Sequence, residues 1–144
     1  MNRDEIKTFL PHREPMLLVD DMEVNDGVAT GHYHVRGDEY FLQGHFPGYP
    51  VVPGVILCEI MAQSCSILIK DQLVGKTPFY SGIDEVRFKR QVRPGDTITI
   101  EGHITSRRGP IFPGLRMDAQ FCGCSGSGAL RFRRQDIHLI TNAP

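Results

Sequence analysis

The feature that most constrains this chain is an apolar run from Val55 to Ile69 that contains neither proline nor glycine. The run is too long for an ordinary strand and predicts a helix. We expect this helix to begin near Pro53, because proline is tolerated in a first helical turn. Apolar residues occupy nearly all sides of the helix, so it should be buried and the rest of the chain should pack around it.

The few polar side chains on this helix fall on one side. Glu59, Gln63 and Ser66 are spaced four and three residues apart, which places them in one narrow strip. A carboxylate on a buried helix is costly unless it has a partner or a function. Glu59 is therefore a candidate functional residue. Gln63 either orients it or belongs to the packing of the core.

The loop before the helix, residues 44–53, is crowded with glycine and proline and should be rigid. It carries His45 close to the helix start, where unpaired N–H groups bear partial positive charge. A histidine, a buried carboxyl group and free N–H groups suit proton transfer beside a developing oxyanion. The alternative is that His45 is a surface or capping residue and Glu59 a hydrogen-bonded core residue.

The remaining patterns predict one antiparallel sheet wrapped round this helix, an α+β fold in which residues 1–144 form a single domain. A short amphipathic helix is expected over 2–9, and Asn25-Asp26-Gly27 has hairpin-turn chemistry. The predicted strands are Met16 to Val24, Val28 to Arg36, Phe79 to Arg90, Thr97 to Ile104, Leu115 to Phe121, and a last strand beginning near Leu130.

Composition fits a single domain with a real core, since 144 residues are 40% hydrophobic and 23% charged. No run reaches membrane-spanning length without a charge, and the N-terminus does not resemble a signal peptide, so we expect a cytoplasmic protein. The four cysteines suggest free thiols rather than disulfides. His32 and His34 share a strand face but lack a third ligand, so no metal site is predicted.

Charge is divided unevenly along the chain. Residues 1–86 contain 6 Lys/Arg and 13 Asp/Glu, a balance of −7, whereas residues 87–134 contain 10 and 3, a balance of +7. The basic half is either a solvated sheet face or a docking surface for an acidic partner. No aromatic or glycine-rich recognition motif accompanies it, so nucleic acid is not the expected partner.

Several motifs occur together in one order. They are Leu10-Pro11-His12-Arg13, Leu17-Leu18-Val19-Asp20, Gly44-His45-Phe46-Pro47-Gly48, Pro53-Gly54-Val55, Glu59 with Ala62-Gln63, Gly82-Ile83-Asp84, Arg87-Phe88-Lys89-Arg90 and Pro94-Gly95-Asp96. Together they resemble the 3-hydroxyacyl-acyl-carrier-protein dehydratases, hotdog-fold enzymes of fatty-acid synthesis, over most of residues 9 to 108. Glutamate at position 59 resembles the branch that only dehydrates.

The resemblance implies dehydration of a (R)-3-hydroxyacyl thioester to the trans-2-enoyl thioester, with His45 and Glu59 as catalytic residues. The reaction needs a polarised thioester carbonyl, for which the Gly54 N–H is placed. It needs a base for the C2 proton, and His45 titrates in the right range. It also needs an acid for the leaving hydroxyl, which a desolvated Glu59 with a raised pKa could supply. No metal or redox cofactor is required.

Further expectations concern binding and assembly. Besides Gly54 and Gln63, we expect Phe46, Pro47 and Val55 to bind substrate. The basic residues Arg87, Lys89 and Arg90 are the candidates for docking acyl carrier protein. The family forms dimers, often assembled into trimers of dimers, and the resemblance implies that His45 of one subunit meets Glu59 of the other.

Two alternatives from other classes stay open, namely a hotdog acyl thioesterase and a non-catalytic acyl-carrier-binding subunit. Glu14 and Met16 stand where the family usually has aromatic residues, and the segment 109–134 matches poorly. Chain-length preference is therefore not predicted. His12 and Arg13 are expected to be a structural hydrogen-bonding pair.

Overall fold

The computed structural model describes residues 1–84, 86, 88, 90–108, 114–124 and 135–142. Its helices are α1 (Arg3–Ile6), α2 (Gly54–Cys65) and α3 (Lys70–Leu73), with short 3-10 segments at Tyr40–Leu42 and Ser66–Ile69. Its strands are β1 (Asp21–Asn25), β2 (Val28–His34), β3 (Thr77–Asp84), β4 (Thr97–Arg108), β5 (Gly114–Cys124) and β6 (Gln135–Asn142).

The six strands form one antiparallel sheet in the order β1-β2-β4-β5-β6-β3. Helix α2 packs against β2, β4 and β5 in the middle of this sheet. A sheet that wraps one central helix is the hotdog arrangement, so the predicted α+β fold is confirmed. None of the helices in the described part of the chain is long and apolar enough to cross a membrane.

Helix α2 begins where the sequence predicted, with Pro53 as its N-cap. Every residue from Ile60 to Cys65 is buried, which agrees with a helix that is apolar on nearly all sides. After Cys65 the chain tightens into the 3-10 segment Ser66–Ile69. Burial of the helix therefore follows from its composition, while its last turn differs in geometry from the predicted α-helix.

The predicted first strand is wrong in its first half, because β1 begins only at Asp21. Leu17, Leu18 and Val19 are all buried in succession, whereas a strand with one buried face would alternate. Two of their backbone groups bond to side chains instead. The Leu17 carbonyl accepts from Arg3, and the Leu18 N–H donates to a helix side chain described below.

Other boundaries differ by smaller amounts. Strand β3 begins at Thr77 and ends at Asp84, not Arg90, and β4 continues past Ile104 to Arg108. The connection predicted from Asp71 onward contains the short helix α3. The residue predicted to open the last strand, Leu130, lies outside the described residues, and β6 starts at Gln135.

Strand β2 passes very close to α2 at Gly31. A Cβ placed on Gly31 would lie 2.5 Å from both Cβ and Oγ of Ser64 and 3.1 Å from its Cα. The Cβ and Cα atoms of Ser64 cannot move away by a side-chain rotation, so the strand or the helix would have to move. The absence of a side chain at Gly31 thus sets the distance between the sheet and the helix.

We predict that Gly31→Ala lowers the free energy of unfolding by about 1–3 kcal/mol, the usual cost of overpacking a core. Urea unfolding followed by circular dichroism would measure it. Gly44→Ala is the matched control, because a Cβ there meets nothing within 4 Å; its change should stay within about 0.5 kcal/mol. Adding Ser64→Gly to Gly31→Ala should restore part of the loss, and equal stability of both alanine variants would contradict the close contact.

Candidate active site

Glu59 lies on α2 with 18% of its side chain exposed. Its Oε1 atom accepts a hydrogen bond of 2.8 Å from Nε2 of Gln63, one turn further along the helix. Nε2 of His12, in the loop after α1, lies 3.1 Å from the same oxygen. The carboxyl group is therefore held from two directions, one on its own helix and one on the N-terminal segment.

Gln63 uses both ends of its amide. Its side-chain oxygen accepts from the Leu18 N–H at 2.7 Å, and its Nε2 donates to the Met16 carbonyl at 2.7 Å as well as to Glu59. These backbone partners fix which end of the amide is oxygen, because a carbonyl only accepts and an N–H only donates. Gln63 is 2% exposed. It joins the N-terminal segment to the helix and orients Glu59.

The ionisation of Glu59 differs from the expectation. Burial raises its pKa, but hydrogen bonds from His12 and Gln63, and the nearby charge of His12, more than offset burial and hold the pKa below its usual value. The predicted raised pKa is therefore wrong for the isolated chain. It failed because the sequence showed the apolar helix and not the donors that meet the carboxylate on it.

Glu59 opens onto a cavity of about 50 Å³. The cavity is lined by Leu10, His12, Glu59, Ala62, Gln63, Ser66, Pro78 and Tyr80. A water molecule needs about 10–15 Å³ on this measure, so the space takes a few water-sized groups. Its wall combines apolar side chains with a carboxylate, an imidazole and a phenol.

Tyr80 reaches this cavity from β3. Its hydroxyl donates a 2.8 Å hydrogen bond to the Cys58 carbonyl of α2. Burial, followed by the nearby Glu59 carboxylate, raises the pKa of Tyr80 far above its ordinary value, so the phenol stays protonated. Tyr80 is thus a donor beside Glu59, and burial likewise raises the pKa of the neighbouring Cys58 thiol.

His45 sits in the loop before α2. Its Nδ1 lies 2.8 Å from the Val51 carbonyl, and its ring stacks on Phe46 with centroids 4.2 Å apart. A carbonyl only accepts, so Nδ1 carries the hydrogen and Nε2 of the neutral ring carries the lone pair. The tautomer suits a base. Within the described residues of one chain, however, His45 neither lines the cavity nor hydrogen-bonds to Glu59.

The start of α2 offers free N–H groups. Pro53 makes no side-chain cap, and its carbonyl takes the N–H groups of Ile56 and Leu57. In the described part of the chain the N–H groups of Gly54 and Val55 have no acceptor. A Cβ on Gly54 would lie 2.6 Å from the Phe88 ring, so this ring covers the glycine.

The other predicted binding residues are surface residues of the chain. Phe46 is 54% and Val55 75% exposed, and Pro47 is exposed as well. Of the predicted carrier-docking residues, Arg90 is exposed, while Arg87 and Lys89 lie outside the described residues. The structure therefore gathers Glu59 and Gln63 in one place and leaves His45 and the apolar loop residues in another.

The sequence predicts that His12 and Arg13 form a structural hydrogen-bonding pair. Arg13 does donate to the His12 carbonyl, as well as to the carbonyls of Lys7 and Leu10. The contact of the His12 ring with Glu59 was not predicted. Tyr80 was missed altogether. Only His12 could have been suspected from the sequence, since it belongs to one of the motifs that carry the resemblance. The contacts of His12 and Tyr80 with helix α2 are not visible in residue spacing.

His32, His34 and Glu14 do not line this cavity, and neither does Met16, although the Met16 carbonyl accepts from Gln63. His32 pairs with Asp21, and Glu14 pairs with Lys7 at 2.8 Å. His34 lies 3.0 Å from the Thr97 hydroxyl. The described residues contain no group of three or more side chains placed to hold a metal ion.

Comparison with known proteins matches residues 10–120 to the FabA-like domain family. The 3-hydroxyacyl-[acyl-carrier-protein] dehydratase FabZ of Clostridium perfringens is 50% identical over 114 residues, which are 77% of this chain and 82% of the relative. FabZ of Staphylococcus carnosus is 44% identical over 142 residues, 93% and 95% of the two chains. A solved structure of the dehydratase heterocomplex ApeI:P from Xenorhabdus doucetiae has a TM-score of 0.72 at 19% identity, covering 96% of this chain and 91% of that one.

We predict that Gln63→Leu lowers the free energy of unfolding by about 2–4 kcal/mol, because it leaves the buried Leu18 N–H and the partly buried Met16 carbonyl without their partner. Chemical denaturation would measure the change. Gln43→Leu, at an exposed position, is the matched control and should alter stability by less than about 0.5 kcal/mol. A Gln63→Leu protein as stable as this control would contradict the joining role of Gln63.

Proposed function

The chain belongs to the FabA-like domain family, and on that basis we propose that it dehydrates 3-hydroxyacyl-acyl-carrier-protein to the trans-2-enoyl product in fatty-acid synthesis, with Glu59 and His45 as its catalytic pair. The observation that carries the residue assignment is the half-buried Glu59 carboxylate facing a small, mostly apolar cavity. A substrate hydroxyl that enters this cavity meets a group able to pass it a proton.

The remaining chemistry is supplied from the loop and the helix start. The Nε2 lone pair of His45 takes the C2 proton, and the electron pair of that bond moves toward the thioester carbonyl. The N–H groups of Gly54 and Val55, which have no acceptor among the described residues, then stabilise the charge on the carbonyl oxygen. The C3–O bond breaks as the hydroxyl receives a proton from Glu59 and leaves as water.

We infer that the complete site needs a second copy of the chain. Strand β3 is an edge of the sheet, and its exposed side chains include Phe79 and Ile83. A long apolar edge is a surface for pairing with another strand. Val55 is 75% exposed, whereas the other residues of its helix are buried or partly buried. A two-fold dimer formed through β3 would cover these residues and bring His45 of one subunit toward Glu59 of the other.

The basic residues near position 90 are proposed to dock the acidic carrier protein, and dimers to assemble further into trimers of dimers. The uneven distribution of charge along the chain supports the docking surface. Phe46, Pro47 and Val55 lie exposed beside the helix start, where the thioester would enter. The phosphopantetheine arm would then run between these apolar residues toward Glu59.

The first test is incubation of the protein with 3-hydroxyacyl carrier protein, with loss of water followed by mass spectrometry. The wild type should form the enoyl product. Glu59→Gln should lower turnover at least about a hundredfold, the scale of a general acid or base, and Glu23→Gln, an exposed change on β1, should not. Release of a free thiol instead would favour a thioesterase, and binding without turnover a non-catalytic carrier-binding subunit.

The second test asks whether the site is shared. His45→Ala and Glu59→Ala, each inactive alone, are mixed under conditions that exchange subunits. Random mixing makes half of the dimers mixed, and in each mixed dimer one site carries both changes and the other neither, so about a quarter of all sites should recover. Native mass spectrometry verifies that mixed dimers form. Mixed dimers without activity would show that both residues act within one chain.

A further inference from the structure

His12 has one polar contact through its ring among the described residues. Its Nε2 lies 3.1 Å from Glu59, and its Nδ1 is buried without a hydrogen-bond partner there. The carboxylate of Glu59 only accepts, so Nε2 carries the hydrogen of this contact. A histidine that merely fastened two segments together would be expected to use both ring nitrogens.

The loop that carries His12 is held in place without this ring. The Arg13 guanidinium donates to the Lys7 and Leu10 carbonyls, and Gln63 binds the backbone at Met16 and Leu18. The backbone on both sides of His12 is thus fixed by other side chains. The contact between the His12 ring and the Glu59 carboxylate is therefore not needed to hold the loop in place.

We propose that His12 and Glu59 share a single proton, so that His12 is the positioning residue from which Glu59 draws the proton it gives to the leaving hydroxyl. The inference rests on the proposed dehydration and adds a third titratable residue to it. It explains how a carboxyl group with a lowered pKa can act as an acid at neutral pH. The proton resides with the imidazole and reaches the substrate through the carboxylate.

The proton balance is as follows. The proposed donor is the His12 imidazolium, with hydrogens on both ring nitrogens, paired with the Glu59 carboxylate. When the C3–O bond breaks, the Nε2 proton of His12 passes through Glu59 to the hydroxyl, and His12 remains as a neutral ring with its hydrogen on Nδ1. His45 has meanwhile gained the C2 proton, so the site as a whole carries the same charge before and after the step. His12 regains a proton and His45 loses one through exchange with solvent, and the only product besides the enoyl thioester is water.

The groups facing this pair come from every adjacent element. Tyr80 approaches from β3 and stays protonated, Cys58 on α2 has a pKa raised by burial, and Gln63 is neutral. The Arg13 guanidinium lies beside the His12 carbonyl, at 2.7 Å. Within the described residues of the cavity, Glu59 and His12 are therefore the two groups placed to pass a proton between them.

The test is the pH dependence of kcat/KM for the full-length protein. His12→Gln keeps an N–H donor near Glu59 but cannot carry a transferable proton. In the wild type, the His12–Glu59 pair should keep the shared proton up to the neutral pH range. In His12→Gln, the proton must be held by Glu59 alone. Activity should therefore be lost at a pH lower by at least about one unit in the variant, given ordinary pKa values of about 6.5 for histidine and 4.3 for glutamate.

Two further features of the profile separate proton sharing from simple support. The loss of kcat/KM at low pH, where the proposed base His45 becomes protonated, should occur at the same pH in His12→Gln as in the wild type. His34→Gln, the same substitution at an exposed position of β2, should leave both the acidic and the basic limb of the profile unchanged. If His12→Gln loses activity equally at every pH, with both limbs unmoved, His12 only supports the site and the proposal is wrong.

A direct measurement keeps this inference separate from the proposed function. In protein labelled with ¹³C at the glutamate carboxyl groups, the Glu59 signal is identified by its absence from Glu59→Gln. The pKa of Glu59 should rise in His12→Gln, because a charged donor is replaced by a neutral one. An unchanged Glu59 pKa in His12→Gln overturns the shared proton even if the wild type dehydrates its substrate. A wild type that does not dehydrate overturns the proposed function, and the Glu59 pKa still decides whether the proton is shared.

If His12→Gln does not fold, the wild type decides. Two groups that share a proton titrate together, so the ¹³C signal of Glu59 and the ring signals of His12 should each show the same two steps. Independent single steps at the two residues would overturn the proposal.

Discussion

The three hydrogen bonds of the Gln63 amide are the interaction on which the rest of the site depends. A buried amide in an apolar helix is tolerated only if its donors and acceptor are paired. Gln63 satisfies this condition by taking the backbone of residues 16–18 and the Glu59 carboxylate as partners. One side chain thereby closes the N-terminal segment over the helix, places His12 near the cavity and limits the rotation of Glu59.

Glu59 shows how opposing electrostatic effects decide the chemistry of such a helix. Burial alone would favour a neutral carboxylic acid, ready to donate a proton. The donors at His12 and Gln63 reverse this preference and keep the group ionised in the chain described here. In the proposed dehydration, an acid that is ionised at rest needs a nearby source of protons, and the 3.1 Å contact with His12 would supply it.

Local sequence patterns determine some parts of this fold, and contacts between residues far apart in the chain determine others. Helix α2, the hairpin at residues 25–27 and the sheet follow from local patterns, and those were recognised correctly. The strand predicted at Met16 failed because Leu18 and its neighbours are buried on both sides and bonded to side chains far along the chain. The contact of His12 with Glu59 spans 47 positions and involves no periodicity, so only the folded chain reveals it.

The separation of His45 from Glu59 follows from how the fold is built. The loop that carries His45 must precede α2, and the helix then carries Glu59 inward, toward the cavity between Leu10 and Tyr80. The Val51 carbonyl holds the histidine ring at the outer end, where Phe46 and Val55 are exposed. In the proposed mechanism, a single chain thus contributes its acid, Glu59, from the interior and its base, His45, from the loop before the helix. In the proposed two-fold dimer, His45 of each chain would meet Glu59 of the other, and the same contact would cover the apolar residues and exclude water from the reaction.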